Sequence, residues 1–393
     1  MYLSAGLTWL MAIAVGLIVA NLYYIQPLMG NIAREFNVPE AMIGYAVTLC
    51  QAGLAAGTLA ILPLGDVTDR RRLIMLSCLG AGIALLVMAL APNAKVFLAA
   101  NFLLGLTSVA THLQVSYAAH LAEPSQRGRA VGAVMSGLLV GVLAARFVSG
   151  YAGGWFSWRA IIVAASLSTF ALGVILRVWL PRDNEAHNVR YKDLMLSMPG
   201  LFATQPLLRQ ACIYGALTFA VFNAFWANLT FHLEGPPFGF TSKGVGVFSL
   251  VAIGGALTAN LAGRLTSRIQ PRTIILYSLL MVLASFGLFA GAGTTLTGMV
   301  LGVILVDLGI QATHIGNQTM VHGLMPEARS RLHCIYMVFY FLGGSVGSGI
   351  GTWSFARMGW LGLCLAGTVL SLAAIGFWVY SRTLGNGPQF EKK

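Results

Sequence analysis

The chain has 393 residues, of which 57 % are hydrophobic and only 9 % charged, and its formal net charge is +12. Charged groups this sparse cannot cover the surface of a soluble globule of that length, so the chain belongs in a bilayer. The cations are spread over several separate edges of the chain rather than along one stripe, which argues against a nucleic-acid partner.

In chain order, stretches of about 20 apolar residues, enough to cross a hydrocarbon layer about 30 Å thick, fall at 7–28, 42–63, 73–91, 96–120, 130–152 and 159–180. Six more fall at 208–230, 244–264, 273–291, 296–321, 332–354 and 360–381. The first has no basic run before it and no small-residue cleavage signal, and it reads as a retained helix. Loops after the even-numbered spans carry Arg70, Arg71, Arg72, Arg127, Arg129, Arg182, Arg264, Arg268, Arg329 and Arg331, whereas the opposite loops hold only Arg34, Lys95, Arg159, Lys243 and Arg357. By the positive-inside rule both termini are cytoplasmic.

A shift of 202 residues superimposes the chain on itself. Ala110-Thr111-His112 falls on Ala312-Thr313-His314, His120 on His322, Arg127 on Arg329, Asn21 on Asn223, Tyr24 on Trp226 and Trp158 on Trp360. A same-order repeat of this kind predicts an all-α membrane protein of twelve transmembrane helices in two pseudo-symmetric six-helix bundles, the architecture of secondary transporters. The expected units are an N-terminal bundle over 1–180, a cytoplasmic linker over 181–207, and a C-terminal bundle with a short tail over 208–393.

The second span ends in Leu62-Pro63-Leu64-Gly65-Asp66-Val67-Thr68-Asp69-Arg70-Arg71-Arg72, and Gly263-Arg264-Leu265-Thr266-Ser267-Arg268 is a decayed copy in the second half. The first stretch resembles the G-x-L-a-D-R-x-G-R-R signature of the major facilitator superfamily, matched at Leu64, Gly65, Asp66, Arg70 and Arg71. Gly137 and Gly141, followed by Ala145-Arg146 and Ser149-Gly150, stand where the drug:proton antiporter-like exporters of that superfamily carry a glycine-rich fifth helix, although the proline usual there is missing. The resemblance covers essentially the whole chain. It implies the major facilitator fold, alternating access, and a cytoplasmic gating motif of Gly65, Asp66, Arg70 and Arg71. Small residues at spacing four equally serve plain helix packing.

Of the twelve acidic residues only Asp307 lies deep within a span. An intramembrane carboxylate costs at least a few kcal/mol unless protonated, paired or facing water, and is a functional candidate by default. Arg146 is its only deeply placed cationic counterpart, at similar depth in the other half. Either Asp307 carries a coupling proton that Arg146 tunes, or the two form a permanent buried ion pair. His112 and His314 can bind an anionic substrate, relay protons or simply satisfy a helix contact. No Cys or carboxylate partner is evident for a metal there, and the five scattered cysteines suggest neither zinc nor a disulfide framework. Asn21, Tyr23, Tyr24 and Gln26 match Asn223, Phe225, Trp226 and Asn228 as polar-aromatic pairs, unless the rings form an interfacial belt. Gln311, one turn from Asp307, is expected to face the same cavity.

No nucleophile–base constellation or Walker-type loop occurs, so the reading is not an enzyme, needs no cofactor, and draws on an ion gradient. The leading expectation is proton-coupled efflux of small amphipathic or aromatic compounds across a bacterial inner membrane. Asn21, Tyr24, His112, Asn223, Trp226, Gln311 and His314 would bind substrate, and Asp307 and Arg146 would couple protons. Proton symport of a small organic anion is the alternative, and a ligand-binding membrane sensor with a transporter fold is another. The expected partners are a small-molecule substrate, protons and the lipid bilayer, with one chain sufficing as a monomer.

Overall fold

The computed structural model describes residues 4–123, 126–182, 190–252, 270–325 and 328–383. The second copy of the signature motif, most of the predicted eighth span, residues 183–189 of the predicted linker and the C-terminal tail lie outside the described residues. The N-terminal half comprises α1 (Ala5–Ala20), α2 (Met29–Phe36), α3 (Glu40–Ile61), α4 (Arg70–Ala89), α5 (Ala94–Thr107), α6 (Ala110–Leu121), α7 (Arg127–Ala152) and α8 (Trp158–Trp179). Helix α9 (Tyr191–Thr204) falls inside the predicted linker. The C-terminal half comprises α10 (Pro206–Glu234), α11 (Ser242–Phe248), α12 (Pro271–Ala292), α13 (Leu296–His322) and α14 (Arg329–Thr383).

Nine helical segments among the described residues are long and apolar enough to cross a membrane, and Ala5–Ala20 and Ser242–Val251 are shorter apolar helices. Large apolar side chains such as Trp9, Ile13, Val140, Leu167, Val178 and Val369 are exposed on the outside of the assembly. Such a surface is stable against lipid tails, where helices satisfy every backbone hydrogen bond internally.

Local chemistry sets the helix ends. Asn93, Ser157 and Thr295 accept hydrogen bonds from the backbone N–H groups of Val96, Ala160 and Gly298 and so cap α5, α8 and α13. The first and fourth predicted spans differ from single rods, and the described part of the eighth passes from α11 into a 3₁₀ segment at Ser249–Val251. The first stops at Ala20 and continues through a turn and a 3₁₀ segment at Gln26–Leu28, where Pro27, tolerated in the first turn of a helix, has no N–H to extend the ladder from α1. The fourth divides into α5 and α6 at Ser108, whose hydroxyl bonds the Leu104 carbonyl at 2.6 Å, a side-chain contact that competes with the helix ladder and bends it. In α14 the chain turns at Gly359, where φ is +61° and ψ −146°, a conformation open essentially to glycine alone.

Within each half, glycines let backbones touch. A Cβ on Gly137 would lie 2.1 Å from the Ala12 carbonyl and one on Gly141 2.2 Å from that of Gly16, which joins α7 to α1. The seam recurs in the second half, where Gly343, 202 residues beyond Gly141, meets the Ala216 carbonyl and Gly347 that of Ala220, which joins α14 to α10. Helix α4 packs on α8 through Gly82 against Phe170, and α12 packs on the last part of α14 through Phe286 against Gly367. Close approach of small residues is the main source of helix attraction where lipid is as apolar as the side chains.

The halves meet along two helix pairs. Between α3 and α14, the Ser345 hydroxyl donates to the Thr48 carbonyl at 2.9 Å, the Thr48 and Ser348 hydroxyls lie 3.0 Å apart, and the Cys334 thiol lies 3.3 Å from the Thr58 carbonyl. Between α7 and α11, Gly150 and Gly246 bring backbone against backbone. By the helix ends, one face of the bundle, the basic face, carries Arg70, Arg127, Arg182, Arg209 and Arg329, and the opposite face carries Arg34, Glu234, Lys243 and Arg357.

Candidate transport site

The centre of the interface between halves is built around Trp226 of α10. Its indole N–H donates to Asp307 Oδ1 of α13 at 3.2 Å, and the Arg146 guanidinium of α7 lies over its ring, 3.8 Å from the centroid. The other side of Arg146 faces Tyr23, at 4.8 Å, and its Nε donates to Gln26 Oε1 at 2.7 Å. The Thr230 hydroxyl donates to the Gln26 carbonyl at 2.7 Å, again across the halves. Gln26, Pro27, Arg146, Trp226, Leu229, Thr230, Val245 and Ser249 enclose a small cavity.

Arg146 and Asp307 are respectively 2 % and 5 % exposed, yet no ion pair joins them among the described residues. They are within electrostatic reach and are separated by the indole, which stacks on one and hydrogen-bonds the other. A permanent buried ion pair is therefore not what this structure contains. A desolvated cation–π contact contributes about 2 kcal/mol or more, but Arg146 Nη2 is buried without a hydrogen-bond partner. The guanidinium is only partly satisfied, a condition that favours its binding a further acceptor.

A second cluster lies nearer the basic face. The His314 ring of α13 places Nδ1 2.9 Å from the Tyr336 hydroxyl and Nε2 2.9 Å from Gln318 Nε2. Tyr340 packs on His314 with 4.5 Å between centroids and stacks on Phe219 at 3.8 Å. His112 of α6 faces the other half, 6.3 Å from the His333 ring and 5.7 Å from Phe341. His322 lies 5.4 Å from His333. No group of three or more His, Cys, Asp or Glu side chains among the described residues is arranged to hold a metal ion.

The other sequence-derived candidates separate. Asn223 accepts from Gln51 Nε2 across the halves at 3.0 Å, and Tyr24 and Gln311 are half-buried. Asn21 instead turns into its own half, where its amide donates to Thr169 Oγ1 at 2.9 Å. That places Asn21 in helix packing between α1 and α8. Gln51, His333, Tyr336 and Tyr340 join the site without having been singled out by the repeat. The positions 202 residues away from them are Ile253, Val131, Val134 and Leu138, so the duplication offered no polar match to notice.

Each face carries a polar contact between halves. On the basic face Asp66 Oδ1 accepts from Arg70 Nη2 at 3.3 Å, and Oδ2 accepts from the Ser330 hydroxyl of α14 at 2.6 Å. On the opposite face Arg34 Nη1 pairs with Glu234 at 3.0 Å, and Gly30 leaves the space that the Glu234 carboxylate occupies. Hydrogen bonds to a charged group contribute about 1.5–3 kcal/mol. Asp66→Ala is thus expected to loosen the basic face and raise maleimide labelling of Cys334, which is 1 % exposed beneath the contact, by roughly tenfold or more. Labelling is to be measured in a chain whose other cysteines are replaced, and an unchanged rate would show that Asp66 does not hold the halves together.

The residues with this geometry belong to a chain that matches the family model described as Major Facilitator Superfamily over residues 11–348. The chain is a member of that superfamily of membrane transporters. Among its relatives is the uncharacterized transporter YgaY of Escherichia coli O157:H7, 37 % identical over 376 residues that cover 96 % of this chain and 95 % of the relative. Solved structures share the fold: the human organic anion transporter MFSD10 superimposes with a TM-score of 0.71 at 16 % identity, covering 95 % of this chain and 100 % of that one. A point mutant of the nucleoside transporter NupG superimposes with a TM-score of 0.76 at 14 % identity, covering 95 % and 99 %.

Proposed function

We propose that the chain is a proton-coupled secondary active transporter that exports small amphipathic or aromatic compounds by alternating access. Its twelve spans form two six-helix bundles that rock about the Trp226 centre, and the basic face lies in the cytoplasm. The observation that carries the reading is Asp307: a buried carboxylate in mid-span whose only side-chain hydrogen-bond partner among the described residues is an uncharged indole. Such a group gains and loses a proton more readily than one fixed to a guanidinium. With Asp307 ionised, it accepts from Trp226 and balances the nearby charge of Arg146. With Asp307 protonated, that acceptor weakens, the indole is released and Arg146 loses its counter-charge. The contact that joins α7 of one half to α10 of the other is thereby tied to the proton, while the rings of Tyr23, Trp226, Phe219 and Tyr340 suit an aromatic body on the cargo.

Proton symport of a small organic anion is a second reading, favoured by the incompletely satisfied Arg146 and by the four imidazoles on the cytoplasmic side of it. The test begins with a library screen for compounds that raise the melting temperature of the purified protein. Those compounds are then followed in proteoliposomes with an imposed pH gradient. Exchange against protons supports export, movement with protons supports symport, and binding without gradient-driven flux overturns both in favour of a sensor.

A further inference from the structure

Helix α13 carries a one-sided polar stripe. Asp307, Gln311, His314, Gln318 and His322 lie at successive intervals of four, three, four and four residues, so that on a helix of 3.6 residues per turn they fall within about 80° of one another. The stripe runs from Asp307 to the basic face and stops there. In the other direction the same face of the helix presents Val303, Val300 and Leu296. Along α13, therefore, Asp307 is connected by polar groups to one side of the membrane only.

Two histidines from other helices complete the array. His333 of α14 lies 5.4 Å from His322 and His112 of α6 lies 6.3 Å from His333, centroid to centroid, and His314 is within electrostatic reach of both His112 and His322. His333 Nδ1 is buried without a hydrogen-bond partner. Imidazole is the side chain suited to pass protons, because one ring nitrogen can accept while the other releases. In its present contacts His314 fits the neutral ring: Gln318 donates to Nε2, and Nδ1–H donates to the Tyr336 oxygen. A protonated ring would donate from both nitrogens, which requires Gln318 to turn its amide oxygen inward. Among the described residues, the charged and titratable groups packed about the route include Arg146 and Tyr23 at the Asp307 end, Tyr336, Tyr340 and, beside Tyr336, Cys212 at His314, and Arg329 at His322.

We propose that this array is the route by which the proton on Asp307 leaves for the basic face. The O–H bond of the Asp307 acid breaks, water spanning the two helical turns past Gln311 takes up and releases the proton, and an N–H bond forms on His314. That ring's second nitrogen gives up its proton to the next acceptor, and the last proton passes to water at His322. No electrons are exchanged, and the net change is one proton moved and one carboxylate left. The inference rests on the reading of Asp307 as the proton site.

The test needs no cargo. Full-length protein in lipid nanodiscs is taken through a rapid pH jump, and the fluorescence of Trp226, identified by its loss in Trp226→Phe, reports the state of Asp307. The expected result is that His314→Gln with His333→Gln slows this signal by roughly a hundredfold at unchanged amplitude, and that free imidazole in the buffer restores the rate. His333→Gln alone, at a ring with an unpartnered nitrogen, serves if the double variant folds poorly, and is expected to give a smaller slowing with the same rescue. An unchanged rate, or a slowing that imidazole does not relieve, overturns the route while leaving Asp307 as the proton site. Persistence of the signal in Asp307→Asn removes the proton site itself and the route with it.

Discussion

Asp307→Asn is expected to abolish proton-driven accumulation of cargo while leaving the exchange of labelled for unlabelled cargo in place. The substitution is nearly isosteric, and its amide oxygen can still accept the Trp226 indole N–H that Asp307 now accepts at 3.2 Å. What disappears is the ability to take up and release a proton. One pH unit supplies about 1.4 kcal/mol per proton, so a coupled carrier working on one proton concentrates cargo about tenfold per unit of gradient. The variant should bring that ratio to one. Asp307→Glu keeps the acid but pushes it about one methylene further toward the indole, and should retain coupling at a reduced rate. Parallel flux measurements in proteoliposomes, with and without a pH gradient, check both. Full accumulation by the Asn variant would remove Asp307 from the coupling step. Arg146 enters the same experiment. Because it stacks on Trp226 and is not paired with Asp307, Arg146→Lys loses the planar ring contact and should weaken coupling even though the charge remains.

Membrane character, the internal repeat and the central acid were all legible in the sequence, because each leaves a signal that survives without coordinates. Apolar runs of about 20 residues mark spans, and a lone carboxylate such as Asp307 stands out against them. The repeat drew attention to Asn223, Trp226, His112 and His314, each of which reaches the boundary between halves or the clusters beside it. The same logic misplaced Asn21. It matches Asn223 in register, yet it turns toward Thr169 of its own half, because a repeat equates positions along the chain and not the neighbours that each side chain finds. His333, Tyr336 and Tyr340 were invisible for the converse reason: their repeat mates are Val131, Val134 and Leu138. Nor could spacing show that an indole would stand between Arg146 and Asp307. That arrangement depends on the Trp226 side chain of α10 reaching both Arg146 of α7 and Asp307 of α13.

Gly150→Leu should arrest transport, whereas Gly141→Leu, nine residues away on the same helix, should destabilise the fold. The difference lies in what each glycine touches. A Cβ on Gly141 would fall 2.2 Å from the Gly16 carbonyl of α1, inside the N-terminal half, while one on Gly150 would fall 2.6 Å from Gly246 Cα of α11, across the boundary between halves. Overpacking such a seam costs about 1–3 kcal/mol. At Gly141 that penalty falls on every conformation that keeps α1 and α7 together, so the melting temperature should drop by several degrees with no preference between states. At Gly150 it falls only on the state in which this face is closed, and about 1–3 kcal/mol shifts a two-state balance by roughly 5–150-fold. The Gly150→Leu protein should therefore fold and rest open at the Arg34–Glu234 face. A cysteine placed at Ser242, which is 6 % exposed in the closed seam, should gain reactivity toward a membrane-impermeant maleimide in Gly150→Leu and not in Gly141→Leu. Equal labelling in the two variants would mean that α7 and α11 do not part during the cycle. The boundary between moving bodies would then have to be sought along α3 and α14 alone.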